Sequence, residues 1–303
     1  MAPLLTRLRV MKVKVEAAKG TKVGGDQAIL AFDQEIQSTA PFIERRGNGA
    51  RLGPIYTGVL GERSGSCNFS AELRGDGSQG LEAGLAILLQ GCGLVKASQV
   101  YSTHSAYANQ KTISIDAYED GIKKGLAGAM GNCTIIGEIG KRVMCNFEYF
   151  GAWQAPTDAA IPAFAPSSTP PMKLSGATFS IGGSSIQIAN YELNFGTQVV
   201  MRPDPDTNEG FSHYLITDLT PEISLDPEAD LVANYDFNGL WLAGTEATIV
   251  LVLTDGTDTI TITLENVQIK ELQGGDRDGI ATYDYTGQCR SDGSNAAIKI
   301  AVT

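Results

Sequence analysis

Short stretches in which apolar and polar residues alternate recur along the whole chain, and turn residues separate them. The clearest example has four apolar residues, each followed by one polar residue: Cys67, Phe69, Ala71 and Leu73. This is the period of a strand with one buried and one solvated face. The 35 glycines and 12 prolines, against only 19% charged residues, are typical of a chain with many turns. We therefore predict a mainly β fold, of the sandwich or barrel type.

The first half is predicted to run in the order strand, helix, hairpin, strand. After the 67–73 strand, apolar residues from Leu81 to Leu89 recur at helical spacing and stop at Gly91, which indicates a short helix packed on the sheet. The segments that follow are a strand at 113–117, a reversal at 119–121, a turn at 128–131, and strands at 133–138 and 144–150.

The second half repeats this order without obvious residue identity. Strands are expected at 186–195, 215–225, 249–253, 260–264, 267–272, 283–287 and 298–302. The capping pair Asp226-Pro227 favours a helix over 227–242. We therefore predict two similar domains, each with one short packed helix, that arose by duplication.

A stretch rich in Pro, Ala and Ser separates the two halves. It predicts a first domain with an N-terminal arm over residues 1–160, a linker over 161–171 and a second domain over 172–303. Before Pro166 the chain has 17 basic and 15 acidic residues, whereas after it there are 6 basic and 19 acidic residues. A subunit polarised in this way should attract copies of itself where unlike halves meet.

The net charge of −11 disfavours a protein that holds nucleic acid tightly, but not one past which DNA must slide. No stretch reaches the eighteen or more apolar residues of a membrane span, and residues 1–7 lack the apolar run of a secretory signal. We expect a protein made inside the cell, with no membrane span.

Reactive residues form no recognisable catalytic or metal-binding pattern. The five cysteines are odd in number and contain no Cys-x-x-Cys pair, so we interpret them as reduced core residues. His104 and His213 are the only histidines, and neither has metal-ligand spacing, so we interpret both as structural or surface residues. We predict no cofactor, no metal and no enzymatic activity.

Two acidic loops have alternative interpretations. Segment 274–279 begins like a calcium loop, but Arg277 adds positive charge and no Glu follows at the twelfth position, which favours a β-turn. Segment 203–210 contains three carboxylates and two prolines. It would either hold a cation weakly or keep an exposed loop soluble, and the prolines favour the second.

One Gly-rich basic loop carries Arg45, Arg46 and Arg51. It could contact nucleic acid, but no aromatic residues interleave with the arginines and the protein is acidic. We favour a loop that reaches a neighbouring subunit and meets acidic surface there, because long loops in compact domains are usually functional.

Several motifs of the first half together resemble those of one protein family. They are the Gly20-Thr21 pair with the apolar cluster 28–30, the strand 65–73, the helix end 88–94, the segment 112–121, and the segments 128–133 and 147–151. In their order and spacing they are similar to the tail tube (major tail) proteins of long, noncontractile bacteriophage tails. The resemblance covers most of the first half, and the second half matches in outline.

The resemblance implies a structural subunit of rings that stack into a hollow tube, through which the genome leaves the particle. If both halves are tube domains, three chains make a ring of quasi-sixfold symmetry, which we favour over a hexamer. Implied partners are further copies of the chain, the tape measure, tail terminator and tail tip proteins, and DNA in transient, non-specific passage. The expected location is the virion tail, after synthesis in the bacterial host cytoplasm.

A tube also predicts where carboxylates lie. Open sheet edges can join neighbours into one closed barrel, and the polar strands 111–118 and 259–265 suit a channel wall. The expected lumen-facing residues are Glu72, Asp116, Glu192 and Glu265. Their charges would repel phosphate and keep DNA from sticking. Alternatively, they are ordinary solvated strand residues.

Two other classes of function stay open. Within assembly proteins, the chain could be a capsid decoration or tail-terminator subunit. From a different class, it could be a carbohydrate-binding module or β-rich hydrolase that uses Trp153, Trp241 and a pair of carboxylates.

Overall fold

The computed structural model describes residues 4–49, 53, 56–104, 106–165, 167–293 and 295–303. In these residues the chain forms 21 strands and two α-helices. Every ladder between strands is antiparallel. The predicted mainly β class is confirmed.

The first half supplies eleven strands. They are β1 (Arg9–Val15), β2 (Gln27–Ile29), β3 (Ala31–Thr39), β4 (Phe42–Arg45), β5 (Tyr56–Leu60), β6 (Ser64–Glu72), β7 (Leu94–Ala97), β8 (Val100–Thr103), β9 (Ile113–Glu119), β10 (Ile122–Glu138) and β11 (Met144–Asp158). In β6, Cys67 and Phe69 are buried and Asn68 between them is exposed, as the alternation predicts. The predicted reversal after β9 is confirmed, with Asp120 and Gly121 at positive φ of 31° and 97°.

The second half supplies ten strands. They are β12 (Thr178–Ile181), β13 (Ser184–Ser185), β14 (Asn190–Asn194), β15 (Thr197–Pro203), β16 (Phe211–Leu219), β17 (Glu222–Leu225), β18 (Glu246–Thr254), β19 (Thr259–Arg277), β20 (Ile280–Arg290) and β21 (Lys299–Val302). The predicted strands 260–264 and 267–272 are one continuous strand, β19. The turn predicted at 274–279 is confirmed only at its end, where Asp278 and Gly279 join β19 to β20.

Helix α1 spans Ala83–Gly91 and ends where the sequence predicts. Leu85, Leu88 and Leu89 are fully buried, so the helix packs its apolar side on the sheet. The second helix, α2, spans Phe237–Ala243 and is much shorter than the predicted 227–242. Its N-cap is Asp236, which accepts a hydrogen bond from the Gly239 amide, and Gly244 ends it in the left-handed conformation.

The predicted start of α2 was wrong because the chain after Asp226 continues along the sheet. Glu228 forms a β-bridge with Thr282 of β20, and the Tyr283 amide donates to the Pro227 carbonyl. These backbone contacts hold the segment extended, so the Asp226-Pro227 pair does not open a helix.

Two long strands organise the sheet. β10 pairs with β11 on one edge, and with β9 and then β14 on the other. β19 pairs with β18 on one edge, and with β21 and then β20 on the other. Because β10 pairs with β14 and β8 pairs with β21, strands of both halves belong to one hydrogen-bonded network.

The halves also share one hydrophobic core, in which Leu88 of α1 and Ile262 of β19 belong to the same cluster. The described residues of the predicted linker, 161–165 and 167–171, form no strand or helix. Directly after it, the Met172 amide donates to the Leu73 carbonyl of the first half. The predicted domain limits and the duplication stay predictions.

A second contact joins the halves, since the β15–β16 hairpin lies over β10 and β11. Phe211, Tyr214 and Ile216 pack against Ala127 and Met130. This cluster is separate from the main core. It covers the outer face of the first-half sheet with residues of the second half.

Asp258, fully buried in the turn between β18 and β19, ties the second half to a loop of the first. Its carboxylate accepts hydrogen bonds from the amides of Gly77, at 2.7 Å, and Gln79, at 2.8 Å. Asp258→Ala leaves both amides without an acceptor, so we expect the free energy of unfolding to fall by about 2–4 kcal/mol. Denaturant unfolding measures this loss. Asp258→Asn keeps one acceptor and should lose less free energy of unfolding. Equal losses for the Ala and Asn variants would contradict this role of the carboxylate.

The described part of the chain contains no helix long and apolar enough to cross a membrane.

Candidate functional site

The predicted basic loop forms a projecting hairpin made of β4 and β5. Phe42 pairs with Leu60 and Ile43 with Val59, and the Gly61 amide donates to the Pro41 carbonyl at 2.8 Å. The hairpin therefore leaves and rejoins the body at one point. It is a separate two-stranded sheet, with no ladder to any other described strand.

The apolar side chains of this hairpin are exposed. Five of them are more than half exposed: Phe42, Ile43, Tyr56, Val59 and Leu60. Because paired residues share a face, Phe42 and Leu60 lie on one face of the hairpin, and Ile43 and Val59 lie on the other. Exposed apolar side chains clustered on one element in this way are typical of an interaction site. Sequence reasoning found the loop through its glycines and arginines but missed its apolar residues, although Phe42-Ile43 and Val59-Leu60 were the available signal.

Arg45 and Arg46 lie at the outer end of this hairpin. The Arg45 guanidinium lies 5.0 Å from the centre of the Tyr56 ring. Arg46 pairs with Glu44 at 2.9 Å and is 77% exposed. Arg51 lies outside the described residues. Segment 41–61 contains three arginines and one acidic residue, so the hairpin presents positive charge together with apolar surface.

The acidic loop 203–210 lies at the base of the hairpin. The Arg63 amide donates to the Glu209 carbonyl at 3.1 Å, and the Arg63 guanidinium donates to the Asn208 carbonyl at 3.0 Å. Asp204 and Thr207 close the loop through their own backbone. This loop therefore braces the hairpin base from the second half.

Strand β3 provides a free sheet edge. It pairs with β6 on one side, and its other side pairs with no strand that the structure describes. Glu35, Gln37 and Thr39 are exposed along it. An edge of this kind presents unpaired backbone groups to a neighbour.

A second exposed apolar surface surrounds α2. It consists of Leu231, Val232, Trp241 and Leu242, which are between 40% and 80% exposed, and we call it the α2 patch. Buried Phe237 anchors the helix, with its ring 4.6 Å from that of Tyr235. The patch is thus held on a fixed element of the fold.

Asp116 does not face solvent, so the prediction that it lines a lumen is wrong. It is 1% exposed, lies 2.7 Å from the Lys22 ammonium and accepts a hydrogen bond from the Gly25 amide at 2.8 Å. Burial lowers the pKa of Lys22, and the charge of Asp116 opposes that shift. Assembly can only bury Asp116 further.

The prediction that 111–118 is a polar strand of a channel wall fails for the same reason. Residues 113–117 of β9 are all buried. The segment after β1 covers one side, where the Val23 amide donates to Ser114 Oγ at 3.1 Å. Helix α1 covers the other side, where Gly91 contacts Ile113.

Glu72 is also buried, and its predicted lumen position is wrong. Its two carboxylate oxygens bind Arg74 at 2.6 Å and Arg142 at 2.9 Å. Glu72 occupies a position of β6 at which the alternation predicts an exposed side chain. It is buried instead, because its carboxylate forms ion pairs with these two arginines. Arg74 also pairs with Glu82 at 3.4 Å, next to α1.

The other two predicted carboxylates remain accessible. Glu192 is exposed on β14. Glu265 is half-buried on β19, with its carboxylate 3.9 Å from the Lys299 ammonium. Both stay predicted lumen residues.

A buried carboxylate that sequence reasoning missed is Glu16. It accepts four hydrogen bonds, from the amides of Gly20 and Gly128 at 2.8 Å and from the hydroxyls of Thr112 and Ser114 at 2.7 Å. Gly128, at a φ of 58°, lies at a bulge inside β10. The turn predicted at 128–131 is therefore wrong, because this glycine bulge sits within a continuous strand and receives Glu16.

The histidines and cysteines form no reactive centre in the described residues. All five cysteines are buried and free, and burial raises the pKa of Cys67 to about 12. His104 is exposed, whereas His213 is buried and bonds the Tyr107 hydroxyl at 3.0 Å. Among the described residues, no group of three His, Cys, Asp or Glu is placed to hold a metal ion.

Burial, followed by the charges of Arg202 and Lys19, lowers the pKa of His213 below its ordinary value of 6.5. The folded state thus binds the proton less readily than the unfolded state, so stability is lost as the pH falls through 6.5. We expect the free energy of unfolding to fall more between about pH 7.5 and 5.5 in the natural chain than in His213→Gln. Denaturant unfolding across this range checks it, and parallel curves would exclude His213 as the cause.

Comparison of the chain with models of known protein families gives no match, and comparison with curated proteins gives none.

Proposed function

We propose that this chain is a structural, non-enzymatic subunit of a bacteriophage tail tube, which assembles into stacked rings whose lumen conducts DNA. The observation that carries the proposal is the projecting β4–β5 hairpin, with five large apolar side chains exposed. Exposure of these side chains to water is unfavourable in a monomer, whereas association with another subunit buries them and is favourable.

Three further features support association into rings. Strand β3 has a free edge along which a neighbour can pair. The charge difference between the halves favours contacts between unlike surfaces of two copies. The motifs of the first half resemble those of tail tube proteins.

An acidic lumen follows from the same proposal. With Asp116 and Glu72 buried, the remaining candidates are Glu192 and Glu265. Carboxylates on the channel wall prevent the release of DNA counterions that would make DNA bind, so the genome passes without stopping.

The proposal is tested by electron microscopy of the purified protein together with the mass of the smallest closed ring. Tubes built from rings of three chains support the tube function with quasi-sixfold symmetry, and rings of six support it without the duplication. Single rings that never stack favour a tail terminator. A persistent monomer contradicts the proposal, and if that monomer binds a glycan array, the carbohydrate-binding alternative is supported.

Reversing the two described hairpin arginines, with Arg45→Glu and Arg46→Glu, is expected to weaken stacking. At low ionic strength the protein concentration needed for tubes should rise roughly tenfold, and at high salt much less, because salt screens exposed charges. Sedimentation across a salt series measures this. Lys111→Glu with Lys123→Glu makes the same charge change away from the hairpin and should leave stacking as it was; an equal effect of both pairs would assign it to net charge.

A further inference from the structure

Two apolar surfaces of this chain lack a partner, the β4–β5 hairpin and the α2 patch. Each lies on an ordered element: the Gly61–Pro41 hydrogen bond closes the hairpin at its base, and buried Phe237 anchors the patch. Surfaces on ordered elements can take part in a specific contact without a large ordering cost.

The ladders place the two surfaces at separate points along β10. Within the strand, Ala127 pairs with Ala152, which pairs with Ser64 shortly after the hairpin. At the C-terminal end of β10, Glu138 pairs with Asn190, whose amide donates to the Asp226 carboxylate at 2.9 Å, and the chain from Asp226 leads into the α2 patch. At about 3.3 Å per residue, this stretch of β10 spans roughly 35 Å.

The two surfaces have opposite charge. Segment 226–243 contains four acidic residues and no basic residue, whereas the hairpin carries an excess of arginine. Arg277 binds Asp226 and Glu228. Asp230 is exposed beside Leu231 and has no cation within ion-pair distance among the described residues. It is available to an arginine from another molecule.

We propose that the α2 patch of one subunit is the docking surface for the β4–β5 hairpin of the next copy of this chain. This inference rests on the proposed function and names the two faces that join successive rings. The apolar side chains of the hairpin cover Leu231 and Leu242, and its arginines face Asp230.

Charge excludes the two symmetric alternatives. Contact between two hairpins would bring arginines together, and contact between two α2 patches would bring carboxylates together. Like charges across an interface oppose binding. The remaining pairing joins two unlike faces of the chain. A contact of this type repeats from copy to copy and produces a column of subunits.

The test compares assembly of the full chain with that of the double variant Leu231→Ser and Leu242→Ser, by ring mass, sedimentation and microscopy. We expect rings of unchanged mass and at least a tenfold increase in the concentration needed for tubes. Leu5→Ser with Val200→Ser is the matched control, because both side chains are about half exposed and lie outside the two surfaces. The control should form tubes like the natural chain.

A charge exchange keeps the test decisive if the leucine variant folds poorly. Asp230→Arg and Arg46→Glu should each reduce stacking, and the combination of both should restore it. Tubes that form normally from the leucine and Asp230 variants would overturn the inference and leave the tube function intact. A natural chain that forms neither rings nor tubes would overturn both.

Discussion

The variant Glu16→Ala is expected to lose about 3–5 kcal/mol of its free energy of unfolding, the largest loss that we expect from a single substitution in this chain. Glu16 is 5% exposed and accepts hydrogen bonds from Gly20, Thr112, Ser114 and Gly128. Without the carboxylate, two backbone amides and two hydroxyls lose their acceptor in a site with little access to water. Denaturant unfolding, with the midpoint and slope fitted together, measures the loss.

Two further variants define the control. Glu148 is exposed on β11, so Glu148→Ala should change the free energy of unfolding by no more than about 0.5 kcal/mol. Glu16→Gln keeps the shape but faces donors with an amide nitrogen, so it should also be clearly destabilised. If Glu16→Gln were as stable as the natural chain, the charge of this residue would not be what holds the bulge of β10.

Replacing the hairpin residues 42–60 with a short Gly-Ser turn is expected to abolish tube formation while the body stays folded. The ends of the hairpin already meet, since the Gly61 amide bonds the Pro41 carbonyl at 2.8 Å, so a short turn can join them. The deletion removes all five exposed apolar side chains of this element. We expect no tubes at protein concentrations a hundredfold above those that suffice for the natural chain.

Circular dichroism and thermal unfolding establish that the shortened chain is folded, and ring mass shows whether lateral contacts persist. As a control, a Gly-Ser turn can replace the exposed residues Ser98 and Gln99 of the turn between β7 and β8, which lie outside both proposed surfaces. Tubes formed by the hairpin-deleted chain would rule out the hairpin as the stacking element.

The sequence predicted those parts of the fold that depend on local pattern. Alternation located β6, and helical spacing with a terminal glycine located α1 and its end at Gly91. The Asp120-Gly121 turn could likewise be predicted from the sequence, because Asp and Gly are residue types that tolerate the positive φ that the turn needs. In each case the neighbours in sequence determine the conformation.

The burial of Asp116 and Glu72 could not be predicted from local pattern. Asp116 lies in an alternating stretch, but its polar side is covered by the segment that carries Lys22, some ninety residues earlier in the chain. Glu72 is neutralised by Arg142, which comes from a distant turn. Alternation indicates which residues share a face, whereas a long-range contact decides whether that face meets water.

The predictions for the hairpin segment and for helix α2 were incomplete for different reasons. The glycines around Arg46 concealed two short strands, whose apolar residues belong to no core of the single chain. For α2, the Asp226-Pro227 pair was a valid capping signal, but the later pair of Asp236 and Gly244 defines the helix. Backbone pairing of the earlier segment with β20 overrides its local preference.

β10 belongs to the first half but pairs with β14 of the second half, and this pairing has a mechanical consequence. A hinge needs a flexible crossing with few contacts, whereas here backbone hydrogen bonds, a common core and the buried Asp258 carboxylate all cross the middle of the chain. Load applied to either end is distributed over many bonds at once. In the proposed tube, each subunit would therefore resist deformation within its own fold, and bending would occur at the contacts between copies.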